Sequence, residues 1–201
     1  VDESAANAIV GEAGFQHQAD LALRKSIVLL RNAENQLPLK ASIKVYFETY
    51  LSRKDQSPGT IYQPTTHNWG VEFVDAPEKA DVILLWLIPK SKSMFESDGS
   101  PLNLSVSKNG IDVNYVRTLL SKKPSVLAIN FSNPWVIDEV YNEGLTNINA
   151  VLATFGTTQE ALLDIVFGKV NPTGKMPFTT PKSEYEAQHQ KSDVPGDMEG
   201  P

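Results

Sequence analysis

The sequence predicts an α/β fold, a three-layer αβα sandwich on a mostly parallel sheet of about six strands, and three observations carry that expectation. Apolar runs of strand length, Val82–Ile88 above all, are apolar at every position, which suits strands covered on both faces as in a parallel sheet. These runs alternate three or four times with segments of helical period, the pattern of parallel strands joined by crossovers. A length of 201 residues, with 41% hydrophobic and 21% charged residues, suits a single globular domain over residues 1–201 with one sizeable core.

Residues 4–13 read as a short helix ending at Gly14, so that residues 1–14 form a linker-proximal helical segment. Residues 17–31 read as a longer helix, because Ala19, Ala22, Leu23, Ile27 and Leu30 recur at three- and four-residue spacing. Residues 32–39 are a turn closed by Pro38. Residues 44–50 are a strand by their β-branched and aromatic content. Residues 52–70, with Pro58, Gly59 and Pro64, form an irregular connection, followed by a short strand at 71–74 and a turn at 76–79. Val82–Ile88 then breaks at Pro89 into a polar loop carrying Lys90, Lys92, Glu96 and Asp98.

Residues 112–121 are helical, with Val113, Val116, Leu119 and Leu120 facing inward, and residues 125–131 are a second continuously apolar strand. Asn133 followed by Pro134 has the form of a helix start, and residues 148–155 that of a further strand. Thr157 and Glu160 form a capping box for a helix that ends at Gly168. Residues 171–174 are a turn. Residues 176–179 are a last short strand, placed at an edge by Pro177, and residues 182–201 an extended polar tail.

A formal net charge of −6 and a pI near 5.1 argue against a nucleic-acid surface. No apolar run reaches the roughly 18 residues that span a bilayer. The absence of cysteine excludes disulfides and thiol catalysis and leaves the compartment undecided. Three scattered histidines (His17, His67 and His189) make a poor zinc set, so no metal and no cofactor is expected. Nothing in residues 1–10 has the form of a targeting peptide.

Loops that leave the carboxyl ends of parallel strands are where open α/β sheets place ligands, which draws attention to residues 89–105. No glycine-rich phosphate loop is present, and the turn after the second apolar strand (Phe131-Ser132-Asn133-Pro134) has no glycine, which disfavours a flavodoxin-like nucleotide module. No G-x-S-x-G elbow occurs, which weighs against an esterase. Glu96 and Asp98 are the acid–base candidates. Most loop carboxylates are merely solvated, but one held beside Met94 and Phe95 would have its pKa raised by burial, as a proton donor needs. Asn103, Trp69 and His67 are candidate sugar-binding residues, since carbohydrate sites combine aromatic faces with amides; each taken singly also reads as an ordinary structural residue. Trp86 and Trp135 read as core. Asn103-Leu104-Ser105 and Asn130-Phe131-Ser132 match the glycosylation acceptor pattern, the second by chance inside a strand.

Three segments, in the right order and spanning nearly the whole chain, carry a resemblance. They are Arg24-Lys25-Ser26-Ile27-Val28-Leu29-Leu30-Arg31-Asn32 running on to Leu37-Pro38-Leu39, then Phe167-Gly168-Lys169-Val170-Asn171-Pro172-Thr173-Gly174-Lys175-Met176-Pro177-Phe178-Thr179, and Ser192-Asp193-Val194-Pro195. Together they resemble the C-terminal α/β-sandwich domain of glycoside hydrolase family 3, the β-glucosidase and β-xylosidase family. The resemblance implies a retaining glycosidase whose nucleophile is an aspartate on an N-terminal TIM-type barrel, a partner domain absent from this chain. It also implies a carbohydrate substrate, and a periplasmic or secreted setting in some members.

The second domain of that family usually supplies the acid/base, a glutamate on a loop after a strand. Glu96-Ser97-Asp98-Gly99 followed by Leu102-Asn103-Leu104 resembles that loop in some members, so Glu96 takes the acid/base position. Other members carry a different loop there, and Asp98 is the fallback. Retaining hydrolysis needs two carboxyl groups about 5–5.5 Å apart, of which this chain would provide one. The isolated chain is therefore expected to have little or no hydrolase activity, and its two ends have the look of cuts from a longer enzyme. The alternative reading is a non-catalytic carbohydrate-binding or scaffolding module derived from the same domain. A half-enzyme would turn Glu96 into an apolar docking face, whereas a binding module would keep a pocket with its own aromatic platform.

Overall fold

The computed structural model describes residues 2–52, 60–61, 69–91, 103–142, 144–145, 147–191 and 194. Its sheet has strands β1 (Val28–Asn32), β2 (Lys44–Leu51), β3 (Thr60–Ile61), β4 (Glu72–Phe73), β5 (Val82–Ile88), β6 (Ser125–Asn130) and β7 (Ile148–Thr154). Their order is β1-β7-β6-β5-β2-β3, with β4 also paired to β2. The pairs β2–β4, β2–β5, β5–β6 and β6–β7 are parallel, while β1 and β3 lie antiparallel to β7 and β2. The described helices are α1 (Glu3–Ile9), α2 (Ala13–Lys25), α3 (Val113–Leu120), α4 (Gln159–Val166) and α5 (Glu184–His189).

The period of two along each strand divides the core into halves. Ile83, Leu85 and Leu87 of β5 join Val116, Leu119 and Leu120 of α3 on one face. Val82, Leu84 and Trp86 join Ala161, Leu162, Ile165 and Val166 of α4 on the other. β5 is therefore buried on both faces, as its unbroken apolar run predicts, and each such side chain contributes about 1.5–3 kcal/mol. This is the three-layer α/β sandwich expected from the sequence.

Several elements depart from expectation. The helix drawn over residues 17–31 stops at Lys25, where Ser26 caps it: its N–H bonds Ala22 O and its hydroxyl donates to Leu23 O. The run from Ile27 then enters the sheet as β1 against β7. Asn133-Pro134 opens no helix. Trp135 N–H bonds back to Asn133 O, its indole donates to Asn130 O, and Val136 pairs with Ser105, so the crossover forms an irregular segment with a turn closed by Tyr141 N–H on Ile137 O, burying Trp135, Ile137 and Val140. Thr158, not Thr157, caps α4 through Ala161 N at 3.2 Å, and Thr157 turns its hydroxyl to Leu23 O. Residues 176–179 form no strand; Met176 and Phe178 leave any ladder to pack on the core. The tail is not wholly extended, because Ser183 caps α5 at Glu186 N.

Candidate functional site

Four parallel strands finish at one edge of the sheet, at Leu51, Ile88, Asn130 and Thr154. Near that edge the α4 face carries Thr49, Trp86, Asn130 and Thr154 beside the apolar Ile88. Trp86 Nε1 donates to Thr154 Oγ1 at 3.0 Å, and Gln159 Nε2 at the start of α4 donates to Thr49 Oγ1 at 3.1 Å. Asn130 Oδ1 accepts from Gly156 N at 2.8 Å, where φ of +67° suits glycine. The carboxyl edge is thus a hydrogen-bonded rim above an apolar core.

The chain leaves β5 through Pro89 and Lys90 and is described again from Asn103. A single residue ties the departing and returning limbs. Lys90 N–H donates to Asn109 O at 2.9 Å, while Asn109 Nδ2 donates to Asn103 O at 2.8 Å and to Ser105 O at 2.7 Å. A carboxylate braces this turn from the crossover. Glu139 Oε2 accepts from Ser105 Oγ at 2.7 Å and Ser107 N at 3.0 Å, and Oε1 accepts from Ser107 Oγ at 2.6 Å. Partial burial works to raise the Glu139 pKa, but the bonds from Ser107 and Ser105 outweigh it and hold the carboxyl below its ordinary range. From the tail, Glu184 Oε2 accepts from Leu104 N at 3.1 Å.

Deeper under the same face lies Glu48, fully buried within β2. Its oxygens each lie 2.8 Å from the Tyr115 hydroxyl, and Oε2 also accepts from Tyr46 at 2.7 Å. Burial, and then the bond to Glu48 and its charge, push both phenols well above their usual range, so they remain donors.

Of the candidate residues, Glu96, Asp98 and His67 lie outside the described residues. Asn103 stands at the returning limb, with Oδ1 accepting from Ser105 N at 3.0 Å. Trp69 is elsewhere. It precedes β4, which pairs with Lys44 and Val45 at the opposite end of the sheet, and it packs in the α4-side core. There its indole donates to Asp164 at 2.8 Å and its ring meets Phe73 and Phe167. Trp69 is a core residue in this structure, not an aromatic platform beside Asn103. Trp86 and Trp135 are buried, as expected. The sequence reading missed Asn109 and Glu139: a lone amide in a polar stretch carries no pattern, and Glu139 lay in the supposed helix after Pro134.

A groove of about 850 Å³ lies beside β1, floored by Leu30, Ile137, Val151, Met176 and Phe178. Its tyrosine, Tyr141, is engaged by Arg31, which donates to the hydroxyl at 2.8 Å with the guanidinium 5.8 Å from the ring centre. Phe178 is turned onto Phe131 and Phe155. Both aromatic side chains of the groove are half-buried and engaged by neighbouring side chains. Among the described residues no cluster of three or more acidic or histidine side chains could hold a metal ion, and no helix is long and apolar enough to cross a membrane.

Fold and rim together define an open α/β-sandwich domain with its loops gathered at the carboxyl edge of a parallel sheet, the usual place for a ligand site in this class. The chain belongs to glycoside hydrolase family 3, for residues 27–199 match the glycosyl hydrolase family 3 C-terminal domain. It is 31% identical over 209 residues to a probable β-glucosidase C of Aspergillus flavus, covering 100% of this chain and 30% of that protein. It is 28% identical over 206 residues to a periplasmic β-glucosidase/β-xylosidase of Dickeya chrysanthemi, again covering 100% of this chain and 29% of that protein. The chain thus spans a little under a third of the length of these relatives.

Among solved structures it resembles a β-glucosidase from Chaetomella raphigera, with a TM-score of 0.65 and 21% identity over 92% of this chain and 32% of that one. It also resembles the Listeria innocua β-glucosidase in complex with isofagomine, with a TM-score of 0.65 and 17% identity over 90% of this chain and 29% of that one. These likenesses support the fold.

Proposed function

We propose that the chain is the second domain of a β-glucosidase-type retaining glycoside hydrolase, and that it supplies the acid/base to a nucleophile on an N-terminal TIM-type barrel. The observation that carries this reading is the rim. β5, an interior strand, runs out at the carboxyl edge of the sheet, and the chain comes back at Asn103 into a hydrogen-bonded turn. The described residues on either side, Lys90 and Asn103, thus stand at the edge where an α/β sheet presents its ligands.

In this role Glu96 protonates the departing glycosidic oxygen while the barrel carboxylate attacks the anomeric carbon; it then takes a proton from the water that releases the sugar. Asp98 is the second choice for the donor, and Asn103 and His67 are the candidate sugar contacts. The substrate is a β-linked glucoside or a related sugar, as the names of the relatives suggest.

The test compares Glu96→Ala and Asp98→Ala in the full-length enzyme on two aryl β-glucosides. The acid/base variant should lose about 10²–10⁴-fold in kcat with a poor leaving group and far less with an activated one. Equal losses on both substrates in both variants would overturn the assignment.

A further inference from the structure

The last residue of β6 carries an amide whose orientation its neighbours fix. Gly156 N–H, which can only donate, lies 2.8 Å from Asn130 Oδ1. The Trp86 indole, also a donor only, bonds Thr154 Oγ1, which leaves the threonine proton for Ile129 O or Asn130 Oδ1, each 3.4 Å away. The oxygen end of the Asn130 amide is therefore turned inward, and Nδ2 with its protons is the outer end. Those protons have no partner among the described residues. No buried side-chain nitrogen or oxygen is left unpaired there, so Nδ2 of the half-buried Asn130 reaches water. A pair of donors thus stands at the carboxyl edge, held in place before any ligand arrives.

The ground beside this amide is open. Gly156 is exposed, and a Cβ added to it would meet nothing within 4 Å. The turns that follow β6 and β7 add Ser132, Asn133 and Thr158, all uncharged and at least half-exposed. Two outward N–H donors take an acceptor oxygen. A formal net charge of −6 disfavours an anion, so the oxygen that fits best is that of a neutral hydroxyl.

We propose that Asn130 is a specificity residue that donates to a hydroxyl of the leaving-group sugar. This inference rests on the reading of the chain as the second domain of a retaining β-glucosidase. In that reading the barrel carboxylate attacks one face of the anomeric carbon, and the bond to the leaving group breaks on the other face, where this domain supplies the proton. The carboxyl edge of this domain therefore meets the leaving sugar, while the glucosyl unit stays with the nucleophile. Asn130 takes no part in the proton transfer; it recognises the group that departs.

The experiment measures kcat/KM on cellobiose and on cyclohexyl β-glucoside for the full-length protein and its Asn130→Ala and Asn130→Asp variants. Both leaving groups are poor alcohols that need a proton, but only that of cellobiose carries further hydroxyls. The ratio of the two values in one preparation therefore separates recognition of those hydroxyls from acid catalysis and from the folded fraction. Asn130→Ala should lower the cellobiose-to-cyclohexyl ratio about 3–10-fold, the worth of one neutral hydrogen bond. Asn130→Asp keeps the acceptor for Gly156 N–H and replaces the outward donors with an acceptor, and should lower the ratio at least about 3-fold. A ratio within about 2-fold of wild type in either variant would overturn the role of Asn130 and leave the domain reading standing. Hydrolysis of neither substrate by the unaltered full-length protein would overturn that reading, and the inference with it.

Discussion

Two carboxylates anchor this domain in different ways. Asp164, on the α4 side, is held by a cation and an indole: Arg24 Nε donates to Oδ2 at 2.8 Å and Trp69 Nε1 to Oδ1 at 2.8 Å, with Lys169 Nζ 3.8 Å away. Lys169 in turn lies over the Trp69 ring at 5.2 Å. Glu139, on the α3 side, accepts from two serine hydroxyls and one backbone amide. The first arrangement joins α2, α4 and the segment before β4, elements distant in sequence. The second joins a turn to a neighbouring crossover at the rim. One carboxylate holds the fold together, and the other holds a loop in place.

The largest effect should come from the first. Asp164→Ala would leave Arg24 and the Trp69 indole without their partner in a mostly buried setting, at a cost of about 3–5 kcal/mol. Chemical denaturation should show it as a large fall in midpoint. A loss under about 1 kcal/mol would mean that Asp164 is no more important to the fold than Glu139.

A middle case is Glu48, which has neutral partners but complete burial. Tyr115→Phe removes the hydroxyl shared by both its oxygens and leaves Tyr46 as its donor, which should cost about 1.5–3 kcal/mol. Tyr115→Phe should also lessen the fall in stability at alkaline pH. A tyrosine with a raised folded-state pKa contributes stability below its unfolded pKa near 10 and loses it as pH rises further. An unchanged alkaline slope would argue that the Tyr115 hydroxyl is not shielded.

The smallest stability effect should be at the rim. Glu139→Gln keeps the shape and one acceptor of the carboxylate, and should cost about 1 kcal/mol at neutral pH. The Glu139 pKa is lowered in the folded protein, so its contribution is fully present above the unfolded value and disappears as pH falls through the folded one. The gap between wild type and Glu139→Gln should therefore close below about pH 4. A gap that persists at lower pH would show that the donor the amide introduces, and not the lost charge, weakens the contact.

The same contrast explains what could be read from sequence. β5 was legible because seven consecutive apolar residues leave few alternatives to a strand buried on both faces. The β1 strand was not, because Ile27 and Leu30 continue the three- and four-residue spacing of α2, and an unbroken apolar run satisfies both periods. The stop lies in one residue, Ser26, whose hydroxyl turns back to Leu23 O. The crossover after Pro134 was misread for a related reason. Asn133 and Pro134 carry helix-start residues, but Trp135 and Val136 are drawn into contacts with Asn130 and Ser105 that no local pattern announces. The rim was legible only in outline. Its place follows from the strand ends, whereas the tie made by Asn109 depends on carbonyls brought together by the turn itself.

The central claim, that the chain is one half of a glycosidase active site, is tested most directly by the turnover of an aryl β-glucoside by the purified 201-residue protein. No turnover above background is expected from the chain alone, and on recombination with an N-terminal barrel turnover is expected that Glu96→Ala abolishes. Robust hydrolysis by the chain alone would contradict it.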